Sequence, residues 1–299
     1  MFAHLRYNDS QDQVGTSPPA RFFYLLVVLL WSLSACAAQN RADSPAVPAQ
    51  PAMATPAPAD ANTAPGPAAD PGTPEAGTCN KTRLFTIGDT TAWQIPGKKA
   101  FFFTAGMAID ADGAPDAYHP DDIGKDYLAN AGRPGNWWAL VTDNGKSSGR
   151  PLIQQAGDPK PGFYISPTAL EDRTKAARDP KRYVDSNTIP YLVLPSNQRG
   201  GARLGDFGVV INSNNGKSAY AIFADLGPRN KIGEGSIALA ERLGIASNPR
   251  RGGASRGVVY VVFSGSGNGR PRSLDEIESE GKSLFENWGG MRQLDACLP

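Results

Sequence analysis

Asp225 and Glu234 are the residues whose type and surroundings point most directly to chemistry. Asp225 closes a strand-like run over residues 217–224 and is followed by Leu226-Gly227-Pro228. Glu234 comes nine residues later, between Gly233 and Gly235, directly before a helix-like segment that opens at Ser236. One carboxylic acid to give a proton and one carboxylate to accept one are the minimal equipment for acid/base cleavage of a glycosidic bond. Singly, each residue has a plainer explanation: Asp before Gly-Pro is a common turn former, and Glu at a helix N-terminus is favoured by the helix dipole. The pair is more telling, because glycine and proline fix the backbone on both sides.

Other polar candidates are weaker. Asp110, Asp112, Asp116, Asp121, Asp122 and Asp126 fall in one stretch that holds a single lysine, Lys125. Such a stretch reads as a solvated loop or a calcium site, or as an acidic wall for a cationic substrate; composition alone favours the first. Asp206 precedes another strand-like run and is a further cleft candidate. His119 is the one histidine of the chain's larger part, so a Ser-His-Asp or Cys-His site would depend on it, and no nucleophile elbow accompanies it. It is more simply a loop hydrogen-bonding residue. It stands with Tyr118 and Trp137 as a candidate for touching a sugar ring, since sugars stack on aromatic faces. In the doublet Trp137-Trp138, strand alternation turns one ring in and the other out. No metal site and no cofactor is expected: His and Cys clusters are missing, and Ser264-Gly265-Ser266-Gly267-Asn268-Gly269 lacks the spacing and the lysine of a phosphate loop and reads as a flexible rim loop.

The elements that must hold these residues are short and β-rich. Apolar runs at 100–104, 137–142, 152–155, 163–165, 191–194, 207–212, 219–224 and 258–263 are punctuated by Gly, Pro, Asn and Asp, and Asn214-Asn215-Gly216 is a hairpin signal. Two helices stand out: residues 236–243, stopped by Gly244, and residues 274–288, opened by Ser273 with Glu276 three residues on in a capping-box pattern. Many short strands with few helices predict a mainly β, closed or nearly closed barrel.

The chain divides into three parts. Residues 1–36 contain an apolar block at 22–35 behind Arg21, too short to span a bilayer comfortably, which reads as a signal-peptide core. Leu33-Ser34-Ala35-Cys36 resembles a bacterial lipobox, making Cys36 the expected lipidation site; Ala35-Cys36-Ala37 also fits ordinary signal-peptidase cleavage. Residues 37–78 are rich in Pro and Ala without apolar periodicity and read as a semi-extended tether. Residues 79–299 are long enough for one core. Cys79 and Cys297 bracket them and are expected to pair in an oxidising compartment. The protein is thus expected to be exported, and either lipid-anchored to the cell envelope or secreted. It would meet a membrane only through that anchor and be a monomer. With 30 Lys and Arg against 29 Asp and Glu in 299 residues, the total charge announces neither polyanion nor polycation binding, and no nucleic-acid partner is expected.

Four segments occurring in order carry a resemblance to a known family: Gly106-Met107-Ala108-Ile109-Asp110-Ala111-Asp112-Gly113, Ile189-Pro190-Tyr191-Leu192-Val193-Leu194-Pro195, Gly216-Lys217-Ser218-Ala219-Tyr220-Ala221-Ile222 and Gly233-Glu234-Gly235-Ser236-Ile237-Ala238-Leu239-Ala240. The chain resembles glycoside hydrolase family 75, the chitosanases, over roughly residues 99–263. The resemblance implies that Asp225 and Glu234 carry catalysis, and it maps a D-x-D-G motif onto Asp110, Asp112 and Gly113. It further implies endo-acting, inverting hydrolysis of β-1,4-linked glucosamine chains, with that polysaccharide as partner. Asp225-Leu226-Gly227-Pro228 and the segment 236–245 are similar to part of the rare lipoprotein A proteins. This implies a six-stranded double-psi-like β barrel with extra strands and two short helices. A peptidoglycan-cleaving lytic transglycosylase and a non-catalytic carbohydrate-binding lipoprotein are the alternative readings.

Overall fold

The computed structural model describes residues 79–298; the expected signal peptide, Cys36 and the tether lie outside the described residues. The chain there begins with a hairpin, β1 (Thr82–Ile87) and β2 (Thr90–Gln94), and continues into the long β3 (Ala100–Asp110). An 80-residue excursion follows, mostly irregular, with α1 (Leu128–Ala131) and the two-residue strands β4 (Gly132–Arg133) and β5 (Asn136–Trp137). The barrel then resumes with β6 (Tyr191–Pro195), β7 (Phe207–Asn212), β8 (Lys217–Gly227), β9 (Glu234–Ser236), α2 (Ile237–Arg242) and β10 (Ala254–Phe263), and the domain ends in α3 (Leu274–Trp288) and α4 (Gly290–Cys297).

Six strands close on themselves in the order β3-β10-β7-β8-β6-β9, with β9 returning to β3. The pairing is mixed: β3–β9 and β6–β8 are parallel, the other four contacts antiparallel. One flank of β3 pairs with β2 at its start and with β9 at its end, so the hairpin extends the sheet without opening the barrel. This is the mainly β, six-stranded barrel read from the sequence, with extra strands.

Strand alternation makes two cores. Phe101, Phe103, Met107, Leu192, Leu194, Val210, Phe223, Tyr260 and Val262 form the interior, and α2 adds Ile237, Leu239, Ala240 and Leu243 to the same cluster. The side chain of Leu192 crosses that interior: a Cβ at Gly208, two strands away, would lie 2.8 Å from its Cδ2. On the outer face Phe102, Val209, Ile222 and Val261 are covered by Ile277, Phe285 and Trp288 of α3. Each large apolar side chain so buried stabilises the fold by about 1.5–3 kcal/mol relative to exposure.

The two expected helices are α2 and α3. Ser236 caps α2 by accepting from Leu239 N–H, and Ser273 with Glu276 forms the capping box of α3. Among the described residues four α-helices are present where two were expected; α1 and α4 are the additions, each no longer than eight residues. The strands expected at 137–142, 152–155 and 163–165 become isolated bridges, Thr142 with Pro151 and Ile153 with Tyr164, apart from the Asn136–Trp137 strand. Those segments do bond to one another (Leu152 N–H to Val141 O, Ile165 N–H to Leu152 O), but Gly and Pro on either side cut each ladder short. The two ends of the described segment are joined: Cys79 and Cys297 form a disulfide across 218 residues, with Cα atoms 4.9 Å apart.

Candidate active site

The barrel wall fixes the two carboxyls through register. Val193 of β6 pairs with Asp225 of β8 on one side and with Glu234 of β9 on the other. Residues aligned across a sheet share a face, so both acids project from the same side of the wall, two strand spacings or about 9–10 Å apart at the backbone. An irregularity in the β6–β8 register, between Leu192 and Val193, lets Phe223 point into the interior while Asp225 joins Val193 outside. On the far side of β9, Glu234 pairs with Ala108 and Ser236 with Asp110, which brings Asp110 to that face as well. Gly227 leaves room for the arrangement: a Cβ there would lie 3.3 Å from Oε2 of Glu234 and 3.1 Å from Val193 Cγ1.

The long excursion supplies the rest. Oδ1 of Asp225 accepts the N–H groups of Ala169 (2.9 Å) and Leu226 (2.8 Å). Oδ1 of Asp110 accepts Asp112 N–H at 2.8 Å, which folds the D-x-D-G turn back on its own strand. Oδ1 of Asp112 accepts the hydroxyls of Tyr118 (2.7 Å) and Ser166 (3.3 Å), and the Tyr191 hydroxyl donates to the Asp112 carbonyl at 2.9 Å. Asp110, Asp112 and Asp225 thereby offer oxygens within 4.8 Å of one another, close enough to serve a hard cation or to share protons.

Protons are strongly favoured. Burial, with the charges of neighbouring carboxyls behind it, raises every member of the cluster. Asp110 is pushed up to about 6 and Glu234 to about 8, with Lys231 opposing the rise at Glu234. Asp112 and Asp225 are raised well above the ordinary carboxylate range, first by burial and then by Asp110. Four acids this close do not all ionise together at neutral pH, so the site holds both a proton donor and, once one proton leaves, an acceptor.

The remaining candidates are placed as follows. Tyr118 is buried, 2 % exposed, and acts through Asp112 instead of meeting a substrate. His119 Nδ1 accepts Asp121 N–H at 3.1 Å and its ring meets Phe163 edge-on, the loop role. Asp206 is corrected: it is 0 % exposed, and its carboxylate accepts the N–H groups of Arg203, Gly265 and Gly267. It is a clamp on the glycine-rich loop, which is therefore held and not a loose rim. Trp137 packs against the interior cluster and Tyr164, whereas Trp138 is 59 % exposed and its Nε1 donates to Asn130 O. Both rings line a groove of about 510 Å³ with Tyr183 and Pro167. The acidic stretch does not form one wall. Asp110 and Asp112 enter the site and Asp126 stands behind Tyr118, while Asp116 is held by Lys125 and Asn187 and Asp122 by Arg250. The sequence reading missed Ser166, Ala169, Tyr191 and Lys231. Tyr191 carried a signal, since it lies within a resemblance segment, but as a strand residue it reads as core.

A closed mixed barrel that gathers four carboxyls on one outer face is a scaffold for acid/base chemistry. Residues 153–288 match the family described as fungal chitosanase of glycosyl hydrolase group 75, so the resemblance to that family is shown over a segment that includes Asp225 and Glu234. The D-x-D-G turn lies before the matched residues. The match supports a glycoside hydrolase of the chitosanase type and implies a polysaccharide substrate. No curated protein matches the chain.

Proposed function

We propose that the protein is an endo-acting hydrolase of β-1,4-linked glucosamine chains that works with inversion of configuration. The observation that carries this reading is the placement of Asp225 and Glu234 on either side of Val193, on one face of the wall. Carboxyls that must admit a water between them stand about 6.5–9.5 Å apart in inverting enzymes, a separation that suits side chains rising from alternate strands. Asp225, raised well above the ordinary carboxylate range by burial and then by Asp110, protonates the leaving glycosidic oxygen. Glu234, with Lys231 opposing its rise, becomes the carboxylate that takes a proton from water on the opposite face of the sugar. Asp112, half-buried beside them, meets the substrate amine, with Asp110 behind it. Trp138 offers a stacking face along the groove. Export and anchoring through a lipidated Cys36 complete the reading.

Asp225→Asn and Glu234→Gln should each lower cleavage of a glucosamine polymer by 10³-fold or more while the protein remains folded, about the size of effect for losing one half of an acid/base pair. Near-normal rates in either variant defeat the assignment. NMR of the first product gives the α anomer if inversion is correct. The closed barrel with Asp225 entering Leu226-Gly227-Pro228 also suits a peptidoglycan lytic transglycosylase. That enzyme would leave anhydro-sugar ends and would not need Glu234.

A further inference from the structure

We propose that Tyr118 is the positioning residue through which the site selects a free amino sugar: its hydroxyl holds Asp112 as a carboxylate and leaves the outer oxygen, Oδ2, to the substrate amine. The proposal rests on the reading of the site as one that takes a glucosamine chain, and it adds what lets that site tell a free amine from an acetylated one.

Tyr118 reaches Asp112 because the chain between them turns twice. Ala114 N–H donates to Ala111 O, and Ala117 N–H donates to Ala114 O. Gly113 stands in the first turn at φ 80°, where a Cβ would lie 2.0 Å from Val184 O, so only glycine fits. The backbone around Tyr118 is then clamped from both sides: Tyr164 N–H donates to Tyr118 O at 2.9 Å, and Asp126 N–H to Ala117 O at 3.0 Å. The ring is buried, and its hydroxyl stands 2.7 Å from Asp112 Oδ1 and 3.4 Å from Asp126 Oδ2.

One hydroxyl carries one proton, and the distances decide where it goes. Asp126 does not need it, because its carboxylate already accepts Tyr127 N–H at 2.8 Å and the Asn130 amide at 2.9 and 3.0 Å. Asp112 does need it. Burial, then the charges of Asp110 and Asp225, favour its protonated form, and Glu234 adds to them. Against these stand the Tyr118 hydroxyl and, at 3.3 Å, that of Ser166, whose single proton is contested by Ala139 O at 3.2 Å. The bond from Tyr118 is the shorter and the stronger of the two. Burial and the charge of Asp112 in turn hold the Tyr118 proton far more tightly than an ordinary phenol does, so the group stays a donor. Both hydroxyls fall on Oδ1. Oδ2 accepts no hydrogen bond from the described residues, and Asp112 is half-buried where Tyr118 is sealed. An ionised oxygen in that position pairs with a protonated amine, whereas an acetamide offers it no charge. Without the Tyr118 bond, Asp112 takes up a proton and loses the distinction.

The test is calorimetric binding of two β-1,4-linked tetrasaccharides, one of glucosamine and one of N-acetylglucosamine, at a pH where the amines are protonated. The full chain is used in the Glu234→Gln background, so that neither is cut. The amine chain should bind about tenfold or more tighter than the acetylated one. Asp112→Asn should bring that ratio near one. Tyr118→Phe, which keeps the ring and removes the hydroxyl, should lower it about tenfold, and should lower it no further once Asp112→Asn is present. Ser166→Ala, which removes the longer bond, should lower it about two- to threefold. Equal affinity of the parent for both chains overturns the proposal. So does a ratio unchanged by Tyr118→Phe (by Ser166→Ala, should Tyr118→Phe fail to fold), or a loss as large with Asp112→Asn as without it. A Tyr118-dependent ratio in a protein that cuts neither chain with Glu234 restored would uphold the positioning role and remove the hydrolase reading. Cleavage of the glucosamine chain with a ratio indifferent to Tyr118 would do the reverse.

Discussion

At the scale of single residues, the site is set by small side chains as much as by acidic ones. Gly227 follows Asp225 by two positions on the same face, and the space it leaves is occupied by the carboxylate of Glu234. Gly227→Ala would require Glu234 Oε2 and Val193 Cγ1 to retreat by a few tenths of an ångström. A displacement of that size in a catalytic group costs rate more than stability, because positioning contributes heavily to the barrier reduction. The expected outcome is a kcat lowered about tenfold with a melting temperature within a few degrees of the parent, checked by steady-state kinetics beside thermal unfolding. An unchanged kcat would mean that Glu234 does not work from this position. Asp225 and Glu234 were legible from sequence because glycine and proline mark both ends of a single loop. Ser166, Ala169 and Tyr191 were not, because they reach Asp112 and Asp225 from 54 to 79 residues away. No local pattern reports a contact of that range.

At the scale of elements, the strands of the barrel were readable where apolar alternation was long and turns were marked. Residues 207–212 became β7 with the same bounds, and Asn214-Asn215-Gly216 does join it to β8, with Gly216 at φ 73°. β1 was passed over because it is an edge strand, largely exposed and only weakly apolar; Gly88-Asp89 between β1 and β2 is a two-residue hairpin turn that marks it. The glycine-rich loop after β10 was read by composition as loose. Its geometry follows instead from Asp206, to which Gly265 and Gly267 donate at 2.8 and 2.7 Å. A Cβ at Gly267 would lie 1.9 Å from Gly205 O, so the backbones touch and only glycine fits. Removing the buried acceptor leaves three amides without a partner, each costing about 1–3 kcal/mol. Asp206→Ala should therefore lower the unfolding free energy by about 3 kcal/mol or more, measured by urea denaturation. A loss below 1 kcal/mol would show that water replaces the carboxylate and that the loop is free after all.

At the scale of the whole molecule, two global terms act on stability. The disulfide between Cys79 and Cys297 closes a loop of 218 residues. Its removal by the double Cys→Ser substitution should cost about 2–5 kcal/mol by releasing the unfolded chain. The second term is the buried carboxyl cluster, whose sign is opposite to that of an ordinary ion pair. Glu234 is raised to about 8 and Asp110 to about 6, in both cases mainly by burial, whereas unfolded carboxyls titrate near pH 4. The folded state binds these protons more tightly than the unfolded state. Their stabilisation is complete below about pH 4 and disappears as pH rises through the folded values. Glu171, held low by the hydrogen bond from Arg182, acts in the other direction and weakens the fold only as pH falls through the acid range. The melting temperature should therefore decline between about pH 5 and pH 8, and Glu234→Gln, which keeps the shape and removes the charge, should flatten that decline. The comparison is a series of thermal scans of both proteins across this range. A melting temperature that rises from pH 5 to pH 8, or a slope that Glu234→Gln leaves unaltered, would show that Glu234 titrates as a solvated acid. It would then have lost the buried setting that makes it a partner for Asp225.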